Sequence, residues 1–477
     1  MLVAGLRGGG GKTLVSLGLI AAWRNNGRKV VPFKKGPDYI DAAWLSAAAG
    51  EPCRNMDLFL MSRQGVLSSL DTAAEHTDVA VIEGNRGLFD GMDAEGSYSS
   101  AELAKLLSTP IVLTVDCTKS TRTVAALILG CTQLDPDAQI GGIVLNQIAG
   151  SRHEAVVRAS VEQICGIPVL GVIPKLRRQI FPERHLGLVP PQEHDEKQAA
   201  IQRVAEVGEQ YLDLEGLWNL AQTAPALEPC GSTATVVDRP KAGAVRIGVF
   251  RDAAFQFYYT ENLEALVREG ATLVEISPLV DRELPDVDAL YIGGGFPETL
   301  APVLSDNEQF RDRVRAAVEQ GLPVYAECGG AVYLGEKLLF ESQEYPMVNV
   351  LPVVFGFQEK PQGHGYVKLE TVGDNPFFSV GESLRGHEFH YTNIESCAES
   401  DLTFAFKVSR GFGFDGERDG MCRYNVLASY THVHALGADG WAPSVVRAAL
   451  RFKEGAKSAS DTSVSDLSPP AQTEPLK

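Results

Sequence analysis

Three short stretches of this sequence carry residue types at spacings that do chemistry. The first is Gly5-Leu6-Arg7-Gly8-Gly9-Gly10-Gly11-Lys12-Thr13. An apolar run precedes it and a helical pattern follows, which is the context of a phosphate-binding loop. Gly8, Gly9, Gly10 and Gly11 let backbone N–H groups turn inward around phosphate oxygens. The helix N-terminus behind them adds positive potential. Lys12 is expected to reach the β- and γ-phosphates of ATP, and Thr13 to hold Mg²⁺. The gap between Gly5 and Gly11 is one residue longer than in the strict motif. The second stretch, residues 324–331, reads as a strand, a turn of small residues and a helix, with Cys328 at the turn. This is a nucleophile elbow with Cys in place of Ser; Ala326 and Gly330 are small enough for the sharp turn. A helix N-terminus and an adjacent base are expected to favour the thiolate. The third stretch, residues 291–298, follows another strand, and the N–H groups of Gly294 and Gly295 are candidates for an oxyanion hole.

Polar residues recur at the ends of other apolar runs. In residues 33–41 the Gly36-Pro37 pair ends a strand. Lys35, Asp38 and Asp41 are then expected on a loop facing the phosphate loop, a charge set suited to Mg·ATP and a carboxylate substrate. A solvated charged loop is the competing reading. Glu83 ends residues 79–83, where a buried acid is costly unless paired or metal-bound. A hydroxyl and a strand-end acid holding Mg²⁺ is the recurring arrangement of P-loop sites, so Thr13 and Glu83 are its candidates. Asn146 ends another run and is read as a hydrogen-bond partner for adenine, with a turn-forming Asn as the alternative.

The elements that must position these residues follow from the pattern. Apolar runs at residues 2–4, 29–33, 79–83, 111–116, 140–146 and 169–173 alternate with helical stretches at 14–25, 101–107 and 152–165. Such alternation predicts a mostly parallel sheet with helices on both faces, its functional loops at the carboxyl ends of the strands. Residues 1–221 are read as an ATP-binding, carboxylate-activating α/β domain and 222–243, rich in Pro, Ala and Thr, as a linker. Residues 244–456 are a second α/β domain that becomes β-rich after Val350, and 457–477 a disordered tail. Four residues before the glycine loop are short for a strand, so the true start is expected upstream of Met1.

The net charge is −18. That disfavours a nucleic-acid partner, since no basic field is available to displace counterions. Eight cysteines form no CxxC pair, which argues against a zinc or redox motif and fits reduced thiols in the cytoplasm. No apolar run is long enough for a membrane span. A homodimer is the expected assembly.

Several longer motifs then carry a resemblance. The extended glycine loop resembles that of the dethiobiotin synthetase group, and also the deviant P-loop of partition ATPases, with Arg7 where those carry a signature lysine. Phe33–Asp41, Val81–Gly91, Leu145–His153 and Pro182–Pro190 (FKKGPDYID, VIEGNRGLFDG, LNQIAGSRH and PERHLGLVP), in that order, resemble the cobyrinate a,c-diamide synthase family from Gly5 to about Val446. The resemblance implies ATP-dependent phosphorylation of acetate carboxylates on an anionic corrinoid-type tetrapyrrole, followed by displacement of phosphate by ammonia. It implies that Asp38, Asp41, Glu83 and Asp90 line the ATP, Mg²⁺ and substrate region, with Asp41 serving both metal and substrate. The second half is similar to class I glutamine amidotransferases, with glycine loop, elbow Cys and late His in that order, so glutamine supplies the ammonia. Within Tyr430-Thr431-His432-Val433-His434, family spacing favours His432 as base, with His434 the alternative. No His-Pro-Glu follows, and the likeness is to the subset using a Cys–His pair without a third acid. Lys35, Ala42-Ala43-Trp44 and Asn85-Arg86 depart from the family pattern near the substrate mouth. The a and c acetates of cobyrinate are the expected substrate groups, sirohaem and nickel-sirohydrochlorin stand as alternatives, and a partition-type ATPase switch is the rival of another class.

Overall fold

The computed structural model describes residues 1–176, 183–184, 187–188, 190–191, 196–225, 243–398 and 402–465. The chain forms two compact units, Met1–Ala234 with Tyr259–Glu261, and Thr235–Tyr258 with Asn262–Lys477.

The first unit is built on β1 (Leu2–Gly5), α1 (Lys12–Asn25), β2 (Val30–Lys35), α2 (Tyr39–Ala49), β3 (Arg54–Met56), α3 (Arg63–Ala74), β4 (Val79–Glu83), α4 (Ser100–Leu106), β5 (Ile111–Asp116), α5 (Arg122–Leu134), β6 (Ile140–Ile148), α6 (Ser151–Cys165) and β7 (Val169–Pro174). The strands form one sheet in the order β3-β2-β4-β1-β5-β6-β7. Every pairing in it is parallel. Strands covered on both faces read as continuous apolar runs, which is why β4 and β5 stood out in the sequence. Helix Lys197–Tyr211 packs on α1 where two glycines meet: a Cβ on Gly208 would lie 2.2 Å from the Gly18 carbonyl oxygen. Only glycine permits that approach.

Sheet order sets the first candidate site. The carboxyl ends of β2, β4, β1, β5 and β6 are consecutive neighbours, and the register aligns Lys34 with Glu83 and Asp116 with Asn146. Functional loops of open parallel sheets lie at this edge.

The second unit has a ten-stranded mixed sheet. Five parallel strands come first, in the order Ala271–Ile276, Val245–Phe250, Ala289–Ile292, Val324–Glu327 and Val426–Ser429. The sheet then continues antiparallel through Arg418–Arg423, Thr403–Arg410, Gly363–Thr371, Ser383–His390 and His432–Val433. A four-stranded sheet adds Gln343–Pro346, Lys337–Phe340, Val353–Phe357 and Thr392–Cys397. Both faces carry buried apolar clusters, one around Phe250, Phe310 and Tyr333, the other around Tyr291, Tyr325 and Trp441.

Helix Trp441–Ser465 runs nine residues into the stretch read as a disordered tail, a correction to that reading. Its first turns bury Val445, Val446 and Ala449, and a docked helix propagates beyond its last anchor. Residues 466–477 and most of the expected linker, 226–242, lie outside the described residues. So do residues 182, 185, 186 and 189. Among the described residues no helix is long and apolar enough to cross a membrane.

Candidate functional site

The phosphate loop lies between β1 and α1, with Gly11 at φ 100° as the N-cap. A Cβ there would sit 2.1 Å from Asn146 Nδ2. Asn146 is buried, donates to the Gly10 carbonyl at 3.2 Å and accepts from the Gln147 N–H at 2.9 Å. It buttresses the loop. Gly9 also has positive φ (69°). Lys12 lies across the loop, donating to the carbonyls of Arg7 (3.1 Å) and Arg86 (2.7 Å). Burial and the neighbouring Lys34 hold its ammonium below the usual range.

Behind the loop is a compact charge cluster. Lys34 Nζ contacts Asp41 Oδ2 at 2.6 Å and Glu83 Oε1 at 2.8 Å, with the lysine side chain 3% exposed. Thr13 Oγ1 donates to the same Glu83 oxygen at 2.8 Å. Glu83 Oε2 is buried with no hydrogen-bond partner. Burial opposes charge on Lys34, yet Asp41 and Glu83 hold its ammonium well above the usual range. Burial raises Glu83, with Lys34 pulling the other way. Asp41 is held low by Lys34 despite burial, whereas burial and Asp41 push Asp38 up to about 7.

Three expectations change here. Asp38 and Asp41 are not on a loop: Asp38 is the N-cap of α2, accepting from the Asp41 N–H at 2.9 Å, and Asp41 lies in the first helical turn. The cause is local, since an Asp placed three residues ahead of a free N–H caps a helix. Lys35 does not join the cluster. It is buried and pairs with Asp57 at 3.4 Å, because successive strand residues point to opposite faces. Lys34 takes its place. Asp90 is exposed, and its Oδ2 accepts from the Gly87 N–H at 2.8 Å, shaping the loop after β4.

Among the described residues no group of three or more His, Cys, Asp or Glu could hold a metal ion. Mg²⁺ bound largely by phosphate oxygens and water needs only one or two protein ligands. The Thr13 hydroxyl and the unpartnered Glu83 Oε2 fit that requirement.

The second candidate centre lies wholly in the second unit. Cys328 joins strand Val324–Glu327 to helix Gly329–Leu334 with φ 49° and ψ −106°, a left-handed backbone that non-glycine residues rarely adopt. Its N–H donates to the Ser429 carbonyl at 2.7 Å, and the thiol points to the Phe389 carbonyl at 3.9 Å. The small residues are required by space: a Cβ on Gly330 would lie 2.5 Å from the Ile292 carbonyl oxygen. Gly329 packs against the glycine loop, where a Cβ would lie 3.1 Å from Gly295 N. The Gly293 N–H donates to the Tyr258 hydroxyl at 2.8 Å, which anchors that loop. Burial, then Glu298, pushes the Cys328 thiol up. The resting nucleophile is therefore a thiol, and the expected thiolate needs a base to form.

His432 is the residue the sequence offers for that role. It sits on the two-residue strand His432–Val433, aligned with His387 across the ladder, and the two rings stack at 4.9 Å. A Cβ on Gly294 would lie 2.6 Å from His432 Cε1 and 3.2 Å from Nε2, so this ring edge lies over the glycine loop. His434 lies beyond the strand, its Nδ1 accepting from the Leu436 N–H at 3.2 Å in a turn. The expected absence of a third acid is corrected by geometry: Glu327 Oε2 lies 3.3 Å from His432 Nδ1. Its sequence signal was an acid ending an apolar strand, the same signal that marked Glu83.

Residues 1–187 match the CobQ/CobB/MinD/ParA nucleotide binding domain family, and residues 246–440 match the CobB/CobQ-like glutamine amidotransferase domain family. Over 94% of its length this chain is 43% identical to a cobyrinate a,c-diamide synthase of Magnetococcus marinus, covering 96% of that protein. This chain belongs to the cobyrinate a,c-diamide synthase family. An enzyme of the same name from Archaeoglobus fulgidus is 40% identical, over 95% of this chain and 98% of the relative. That from Methanothermobacter thermautotrophicus is 38% identical, over 95% of this chain and all of the relative. Members of this family thus align with both candidate centres, the glycine loop in the first matched domain and the Cys328 elbow in the second.

Proposed function

We propose that this chain amidates the a and c acetate carboxylates of cobyrinate, using ATP for activation and glutamine as the nitrogen source. The observation that carries the reading is a left-handed Cys328 elbow, with the His432 ring edge over the Gly294 loop, on the same chain as a Lys12–Thr13–Glu83 phosphate loop. A nucleotide switch of the partition type has no use for an ammonia source.

In the glutaminase half, Cys328 Sγ attacks the carboxamide carbon of glutamine as His432 takes the thiol proton. The carbon–nitrogen bond breaks, and His432 returns the proton to the departing ammonia. Water then hydrolyses the thioester, releasing glutamate and restoring the thiol. The N–H groups of Gly294 and Gly295 receive the developing oxyanion. In the ATP half, a substrate carboxylate oxygen attacks the γ-phosphorus and ADP leaves. Ammonia attacks the resulting acyl phosphate, and inorganic phosphate departs. Gly8–Gly11 and Lys12 hold the phosphates. Thr13, Glu83 and Asp41 would hold Mg²⁺, which would supply charge neutralisation for the transferring phosphoryl group. Asp38 and Lys34 orient the substrate carboxylate. A homodimer in the cytoplasm completes the proposal.

The test is mass spectrometry after incubation with Mg·ATP, amide-¹⁵N glutamine, and cobyrinate, sirohaem or nickel-sirohydrochlorin. Two labels in cobyrinate are expected. Label only in another macrocycle would replace the substrate and keep the mechanism. Absence of label in all three would overturn the reading.

A further inference from the structure

The residue before the nucleophile is an acid, and the structure gives it a specific environment. Glu327 ends the strand Val324–Glu327 and is 1% exposed. Its Oε1 accepts from the Val433 N–H at 3.1 Å. Its Oε2 accepts from the Tyr291 hydroxyl at 3.2 Å and lies 3.3 Å from His432 Nδ1. Tyr291 is itself oriented by Asn262, whose amide donates to the Tyr291 hydroxyl at 3.2 Å and to the Val433 carbonyl at 2.8 Å.

A buried carboxylate is costly unless paired and hydrogen-bonded. Of the three groups on this one, the Val433 amide and the Tyr291 phenol are neutral donors. His432 alone can carry positive charge. The carboxylate is therefore matched to an imidazole that gains a proton and gives it back. A partner on one ring nitrogen also sets the tautomer and aims the other.

We propose that Glu327 is a positioning residue for glutamine hydrolysis, holding His432 by Nδ1 so that its Cε1–Nε2 edge stays over Gly294. The inference rests on the glutaminase reading above. The third member of the Cys–His set comes from the residue next to the nucleophile, not from downstream of the base. Strand alternation makes this workable: Glu327 and Cys328 leave the backbone in different directions, and the left-handed turn at Cys328 exposes the thiol while Glu327 stays in the sheet. The other titratable groups around the pair are Tyr258, Tyr291, Tyr325 and Cys328 around Glu327, and His387 and His434 near His432. Burial, then His432, holds His387 well below its usual range, so it stacks on His432 as a neutral ring.

The experiment measures glutamate release by the full chain against pH for the parent, Glu327→Gln, Tyr291→Phe and Cys328→Ala. Glu327→Gln keeps volume and an acceptor but loses the charge. Its kcat should fall by about 10²-fold, with KM for glutamine little changed because Glu327 does not touch substrate. The limb of the pH profile that belongs to the imidazole should move to lower pH. Tyr291→Phe removes a donor from the carboxylate and strengthens its hold on the imidazolium, so the same limb should move to higher pH. Opposite displacements are not expected of a merely structural residue. They also remain readable in Tyr291→Phe if Glu327→Gln does not fold. A parent-like profile in both variants, while Cys328→Ala releases no glutamate, would overturn this inference alone. Undiminished glutamate release by Cys328→Ala would overturn the glutaminase reading with it.

Discussion

Replacing Lys34 with Met tests the charge cluster under the phosphate loop. The ammonium is 2.6 Å from Asp41 and 2.8 Å from Glu83, in a site that leaves its side chain 3% exposed. Met preserves much of the volume, so little cavity forms. What is lost is the one cation between two sequestered carboxylates. Removing one partner of a buried pair costs roughly 3–5 kcal/mol. For a unit of this size, about 2–4 °C of Tm per kcal/mol translates that into roughly 6–20 °C. The pH dependence follows from sign. Burial already raises Glu83 and Lys34 opposes it. Without Lys34 the carboxyl takes up a proton more readily, so the penalty is largest at pH 8 and shrinks toward pH 5. Mg²⁺ should recover part of the loss in the variant, since Glu83 Oε2 is unpartnered and the competing ammonium is gone. The assay is thermal unfolding at pH 5 and 8, with and without Mg²⁺. A variant within about 1 kcal/mol of the parent at both pH values, and indifferent to Mg²⁺, would refute the reasoning.

Gly11→Ala must place a side chain at φ 100° against the Asn146 amide; isothermal titration should show ATP binding weakened about tenfold or more, with glutamine hydrolysis retained. Asp38→Asn keeps the N-cap of α2 but removes a carboxyl whose native value is up to about 7. Between the unfolded and folded values the native state holds a proton that the unfolded chain has released, so this group's contribution falls as pH rises through that window. The variant should be about 1–2 kcal/mol more stable than the parent at pH 8 in urea unfolding, with the difference vanishing toward pH 4. Cys328→Ala should lose glutamine-dependent amidation and regain it with added ammonia, because only the supply is removed. Lys12→Ala should not be rescued by ammonia.

The strand ends that carry chemistry were legible because a buried acid or amide closing an apolar run is rare without a task. Glu83 ends its strand and Cys328 directly follows one, while Asn146 lies two residues inside the end of its strand. The helix after Gly36-Pro37 was hidden, because two acids and two lysines in a row resemble a solvated loop until the Asp38 cap is recognised. Lys34 and Lys35 could not be ranked without knowing which face of β2 meets β4's Glu83 and which meets Asp57. Asn146 was placed correctly along the sheet, but its partner, the Gly10 carbonyl, is 136 residues away and visible only in the fold. Glu327 was hidden by adjacency, since a residue beside the nucleophile draws notice to the elbow and not to what its own side chain meets.

The hydrogen bond between Glu327 and His432 closes a loop of 105 residues. The nucleophile leaves the ribosome well before its base, and the edge strand carrying that base can pair only after the antiparallel half of the sheet exists. Contacts so distant along the chain form late. A nascent or truncated polypeptide that already displays the Cys328 elbow is thus inert toward glutamine. The cell's nitrogen donor is spent only by chains that have completed their last strand.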